Sequence, residues 1–127
     1  MRVVFMGSAP ISCVSLEALL ADADVDVVGV VTQPDRASGR KLKVRHGPVK
    51  ALAESRGIPV LAPERVNTPE AIAEIRAFAP DLIAVLAYGQ ILKRDLLEMA
   101  AYGCINVHTS LLPAYRGAAP IQWAVAN

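Results

Sequence analysis

The segment Asn106-Val107-His108-Thr109-Ser110 concentrates polar side chains directly after a short apolar run. On an extended chain, residues two apart leave the backbone on the same face, so Asn106 and His108 are expected side by side. An amide beside an imidazole suits acyl transfer. The amide N–H can donate to a developing oxyanion, and the imidazole can donate to it or move a proton. Histidine is apt because its reference pKa of ~6.5 lets modest surroundings set its charge near neutral pH. Beyond the pair, Thr109 and Ser110 supply hydroxyls, Leu111 and Leu112 an apolar wall, and Pro113 a rigid exit toward Tyr115-Arg116-Gly117. Two readings fit this spacing equally: a reactive pair, or a hydrogen-bonded structural pair at a strand end. No covalent nucleophile is evident. Neither cysteine neighbours a histidine in sequence, and neither Thr109 nor Ser110 sits in a nucleophile elbow.

To place that segment, the rest of the chain must form a frame. Apolar, β-branched runs at 2–7, 25–32, 58–62, 81–87 and 103–107 alternate with stretches of helical period, the pattern of βαβ units and a parallel sheet. The runs Val25–Val31 and Leu82–Leu86 are nearly continuous, as strands buried on both faces require. Helices are predicted over Val14–Leu20, Pro48–Arg56, from the Thr68-Pro69-Glu70 cap to just before Pro80, over Arg94–Met99, and beginning at Ala118–Ala126. The fold class is therefore α/β: a Rossmann-like, open, mostly parallel sheet with helices on both faces. Ligands of such sheets bind beyond the carboxyl ends of the strands. That directs attention to Gly7–Pro10, Thr32–Asp35, Tyr88–Leu92 and Asn106–Pro113.

Composition narrows the functions on offer. The chain has 127 residues, 54% hydrophobic and 20% charged, with a net charge of +1. That is a single domain with no global pull toward nucleic acid or membrane, so any such attraction must be local. No apolar stretch approaches the ~18–20 residues that span a bilayer, and no signal peptide precedes Val3-Val4-Phe5, which points to a cytoplasmic protein. Cys13 and Cys104 read as reduced, packed thiols. With only His46 and His108 beside them, no metal site is expected. The turn Gly7-Ser8-Ala9-Pro10 has one glycine and then a proline, where a dinucleotide turn needs G-x-G-x-x-G, so NAD is not expected either.

The stretch Asn106 to Gln122, NVHTSLLPAYRGAAPIQ, closely resembles the N-x-H-x-S-L-L-P-x-[YWH]-R-G-A-x-P-I motif of the folate-dependent formyltransferase family. The resemblance extends over 1–127, as the N-terminal catalytic domain, incomplete at its C-terminal end. It implies transfer of the formyl group of 10-formyltetrahydrofolate to an amine, with Asn106 as oxyanion donor and His108 as electrostatic and proton-transfer partner. Ser110, Leu111, Leu112 and Pro113 look like the family's folate-binding stretch. Tyr88, Gly89, Gln90, Ile91 and Leu92 resemble the loop that lines the pterin pocket, although packing alone would explain Ile91 and Leu92.

Residues 32–53, TQPDRASGRKLKVRHGPVKALA, resemble the insertion of the branch whose formyl acceptor is initiator methionyl-tRNA. Arg36, Arg40, Lys41, Lys43, Arg45 and Lys50 are six of the thirteen Lys and Arg residues, and no acid occurs from Arg36 to Ala53. Gly39 and Gly47 suggest a mobile loop. Such a strip can neutralise RNA phosphates, and a solvated surface loop is the plainer alternative. Of these, Arg36, Arg40, Lys41, Lys43 and Arg45 are the candidate tRNA contacts; no membrane or protein partner is implied.

The chain departs from the family pattern at Ala9 and Val14, where prolines are usual, at Ile11 in place of a phenylalanine, at Gln90, where an aliphatic residue is common, and at Thr109. The family's catalytic aspartate falls downstream of Asn127, and Asp81 and Asp95 are wrongly placed to replace it. Another amine as acceptor, a non-catalytic folate-binding fragment and a generic Rossmann-like binding module stand as alternatives. The 127-residue chain by itself is expected to transfer formyl groups at or near background; a rate like that of complete family enzymes, in a direct transfer assay, would contradict this.

Overall fold

The computed structural model describes residues 1–38, 43–45, 47–109 and 121–125; at 36–38, 43–45, 107–109 and 121–125 only the backbone is described. Strands β1 (Arg2–Met6), β2 (Asp26–Val31), β5 (Val60–Leu61), β6 (Leu82–Val85) and β7 (Cys104–Thr109) pair in parallel, and β8 (Ile121–Val125) adds antiparallel to β7. The order is β5-β2-β1-β6-β7-β8. From β1 the chain first builds outward through β2 and β5, then crosses to build β6 and β7 on the other side. The strand order therefore reverses between β1 and β6, the position where open α/β sheets leave a crevice.

Each face of the sheet is covered by a pair of helices. Val3, Phe5, Val27, Val30 and Ala84 pack under α1 (Pro10–Ala21) and α2 (Pro48–Ser55), through Leu16, Val49 and Ala53. The alternate residues Val4, Met6, Val31, Ile83 and Cys104 pack under α3 (Pro69–Ala77) and α4 (Arg94–Leu97), through Ile75 and Leu96. Burial on both faces removes the polar alternation of a one-sided sheet, which accounts for the unbroken apolar runs. Helix α3 starts as its sequence prescribes. Thr68 Oγ1 accepts from Ala71 N at 3.2 Å, Pro69 takes the first helical position and Glu70 faces the positive end of the helix dipole. Helix α1 begins four residues before the predicted start, because Pro10 opens it and Ser12 Oγ accepts from Ala9 N at 3.3 Å.

Two expectations are corrected. The helix predicted to begin within 118–126 is replaced, over Ile121–Val125, by β8, whose register sets Ile121 against Thr109 and Val125 against Ile105. Its residues alternate Ile, Gln, Trp, Ala, Val, a strand period, and pairing with β7 covers an edge otherwise left with unpaired backbone groups. The basic stretch, expected as a loop, contains the antiparallel strand pair β3 (Arg36–Ser38) and β4 (Lys43–Arg45). Gly39 lies outside the described residues.

Gly29 shows how closely α3's end meets the sheet. A Cβ there would stand 2.5 Å from the Phe78 ring, which packs on the second core. Gly29→Ala is therefore expected to lower stability by about 1–3 kcal/mol, the usual cost of overpacking. Combining it with Phe78→Leu should recover part of the loss in urea denaturation; a Gly29→Ala protein as stable as its parent would refute the contact.

Candidate active site

Asn106 sits on β7 opposite Val85, the last residue of β6, and β7 runs three residues further to Thr109. Here a cleft of about 350 Å³ is lined by Val85, Gln90, Ile91, Leu92, Leu97, Cys104 and Asn106. Cys104 and Asn106 are alternate residues of one strand, so β7 turns the same face to the cleft at both positions. The structure thus brings Asn106 together with Gln90, Ile91 and Leu92, four residues separately singled out in the sequence. The volume falls within the range of small-molecule sites, which are largely apolar with a few placed polar groups. Val85, Leu92, Leu97 and Cys104 form the apolar lining; the Asn106 and Gln90 amides are the polar groups.

The loop from Tyr88 to Lys93 is fixed by side chains outside it. Ser8 Oγ donates to Tyr88 O at 3.1 Å and accepts from Gln33 N at 2.9 Å and from Thr32 Oγ1 at 3.3 Å. Gln33 Nε2 donates to Tyr88 O at 3.2 Å. Asn67 grips the far end, donating to Ile91 O at 2.7 Å and accepting from Lys93 N at 2.9 Å. Gln90 uses both ends of its amide: Oε1 accepts from Val66 N at 2.8 Å, while Nε2 donates to Gln33 Oε1 at 3.0 Å and to Glu64 O at 3.1 Å. A residue noted in the sequence as a departure from an aliphatic is thus the loop's main polar anchor. Ser8 and Gln33 were marked in the sequence only as lying at strand ends, and Asn67, just before the Thr68 cap, carried no signal.

The remaining candidates are distributed as follows. Tyr88 directs its side chain into the core with only 2% exposure, beside Leu96, Ala100 and Cys104, and its hydroxyl has no hydrogen-bond partner among the described residues. Gly89 turns the loop at φ +94, where an added Cβ would meet Gln33 Nε2 at 2.9 Å. Ile91 is 85% exposed at the rim, and Leu92 packs partly on the core. His108 lies on the same continuous strand as Asn106, but its side chain is outside the described set, as are Ser110, Leu111, Leu112 and Pro113. In the hairpin, the register pairs Arg36 with Arg45 and Ser38 with Lys43, with Ala37 against Val44 between them. Arg40 and Lys41 lie outside the described residues. Lys50 is withdrawn from the basic strip: its Nζ meets Asp35 Oδ2 at 2.8 Å and ties α2 to the hairpin's root. Among the described residues, no group of three or more His, Cys, Asp or Glu could hold a metal ion, and no helix is long and apolar enough to cross a membrane.

With the fold and cleft in view, comparison with known proteins is direct. The profile of the formyl transferase family matches residues 1–127, and the chain belongs to that family. Its curated relatives include the methionyl-tRNA formyltransferase of Geotalea uraniireducens, 53% identical over 127 residues, all of this chain and 40% of that protein. The methionyl-tRNA formyltransferase of Desulfotalea psychrophila is 56% identical over 125 residues, 98% of this chain and 38% of that protein. The chain spans about 40% of the length of such relatives. Among solved structures, phosphoribosylglycinamide formyltransferase from Bacillus halodurans shares the fold with a TM-score of 0.65 at 20% identity, covering 94% of this chain and 62% of that one. Membership of this family removes the generic binding-module alternative.

Burial pushes the Tyr88 phenol from 10.0 up to about 12, and the Cys104 thiol from 9.0 up to about 11. For both groups the raised folded value means stability is fully present below the unfolded value and is lost as pH climbs toward the folded one. Tyr88→Phe removes a buried hydroxyl that has no partner among the described residues, so stability at neutral pH should be unchanged or raised by up to ~1 kcal/mol. It should also remove Tyr88's share of the loss between pH 10 and about 12. Urea denaturation at pH 7 and in that alkaline range checks both; a marked loss at pH 7 would mean that the hydroxyl is bound.

Proposed function

We propose that the protein carrying these residues transfers the formyl group of 10-formyltetrahydrofolate to the amino group of methionyl-tRNA, in the cytoplasm, at the start of translation. The observation that carries the reading is the shared cleft of Asn106 with Gln90, Ile91 and Leu92 at the carboxyl end of a formyl transferase sheet. Its size and mixed lining suit a flat heterocycle with polar edges. Gln90, Ile91, Leu92 and the backbone of Tyr88 and Gly89 would hold the folate, together with Ser110–Pro113.

When bound, 10-formyltetrahydrofolate supplies an electrophilic formyl carbon for the amine. Asn106 donates its amide N–H to the formyl oxygen as negative charge gathers there, an interaction stronger in the transition state than before it. His108 takes the proton that the attacking amine sheds, and the proton needed by the departing folate nitrogen balances it. An aspartate downstream of Asn127 would complete the set.

The acceptor assignment rests on the named relatives and on the basic stretch. The stretch from Arg36 to Lys50 carries six basic residues and no acid, a composition that can neutralise RNA phosphates. Transfer to another amine is the second reading, favoured by the fold shared with phosphoribosylglycinamide formyltransferase.

In the complete gene product, Asn106→Ala is expected to lower kcat about 10²–10³-fold with a far smaller change in the KM for folate. Arg40→Glu with Lys41→Glu should cut kcat/KM for methionyl-tRNA while sparing folate binding. Unchanged kcat in the first variant would remove Asn106 from catalysis. Unchanged use of tRNA in the second would remove the basic segment from recognition, and preferential formylation of a small amine would favour the second reading.

A further inference from the structure

Gln33, in the Thr32–Asp35 turn after β2, has no ligand-binding role assigned above, yet it links that turn to the loops after β1 and β6. Its backbone N–H donates to Ser8 Oγ after β1 at 2.9 Å. Its Nε2 donates to Tyr88 O after β6 at 3.2 Å, and its Oε1 accepts from Gln90 Nε2 at 3.0 Å. Through Gln90 it reaches the stretch after β5, where Val66 N and Glu64 O bind the same amide. Gly89 has no Cβ where one would come within 2.9 Å of Gln33 Nε2, so the loop's sharpest turn is shaped around this amide.

We propose that Gln33 is a positioning residue for the cleft, setting the height and rotation of the 88–92 wall against Asn106. This rests on the folate reading of that cleft. The amide acts at both of its ends. Its donor shares the Tyr88 carbonyl with Ser8, and its acceptor ties the Gln90 amide, already oriented by Val66 N and Glu64 O, to the turn after β2. Without Gln33, Ser8 still holds Tyr88 O and the Tyr88 side chain stays in the core, so the loop remains attached. Gln90 keeps its backbone partners after β5 but loses its tie to the turn after β2. The effect is then a misplaced wall in a folded protein, felt by the ligand that lies against it.

The test is calorimetric binding of tetrahydrofolate to the complete gene product, with melting temperature and kcat measured alongside. Gln33→Ala is expected to weaken binding about tenfold, the scale of one or two lost hydrogen bonds, while kcat at saturating folate falls far less. Gln33→Ala and Gln90→Ala should be non-additive, since each removes the same contact. If Gln33→Ala does not fold, Gln33→Glu carries the test. Its carboxylate can still accept from Gln90 Nε2 but has no donor for Tyr88 O, and a similar weakening is expected. Parental affinity in a folded Gln33 variant, or full additivity with Gln90→Ala, overturns the proposal. No tetrahydrofolate binding by the unsubstituted protein overturns the folate reading and this proposal with it.

Discussion

At the carboxyl end of a parallel sheet, every strand hands its chain to a loop, and the backbone groups of those loops lie beyond the ladder that satisfies the strands. A buried or half-buried N–H or C=O left without a partner costs about 1–3 kcal/mol. In this protein the partners are supplied across the loops, by Ser8, Gln33, Asn67 and Gln90. The same bonds that satisfy the backbone fix one wall of the cleft, while β7 fixes the opposite side by holding Asn106 in register with Val85.

The core makes that arrangement rigid from below. Tyr88 enters the second core as the loop begins and Leu92 rests on it as the loop ends, so the segment between them is a short span anchored at both feet. Leaving Ile91 exposed at the crest is compatible with a segment whose function is to present a surface. Gly7 shows the tightness of the packing: a Cβ there would meet Leu86 O and Ser12 Oγ at 2.7 Å. The glycine that lacked a dinucleotide fingerprint is needed because α1 and β6 leave no room for a side chain.

Much of this frame was legible in the sequence, for reasons that particular residues make plain. Runs such as Val25–Val31 mark strands buried on both faces, and Thr68-Pro69-Glu70 marks a helix start. Each signal is local, and each is carried by residue type. The Ala118–Ala126 segment misled because alanines favour a helix, while the Ile-Gln-Trp-Ala-Val alternation and an open edge on β7 favour a strand; edge pairing is not a local property. Within the site, Asn106 and the 90–92 stretch were found through family resemblance. The Ser8–Gln33–Gln90 linkage was not, since it joins residues 25 to 57 positions apart and no spacing rule connects them. Tyr88 was read from the family resemblance as part of a ligand loop, whereas its side chain is buried in the core.

The polar scaffold around the cleft is built from alcohols, carboxamides and peptide groups. None of these gains or loses a proton between the acid and alkaline limits of a cell. The shape of the wall facing Asn106 therefore does not follow the acidity of its surroundings. Any dependence of the reaction on acidity near neutrality is left to the groups that exchange protons with the reactants. In this fold the parts that hold still and the parts that titrate are different parts.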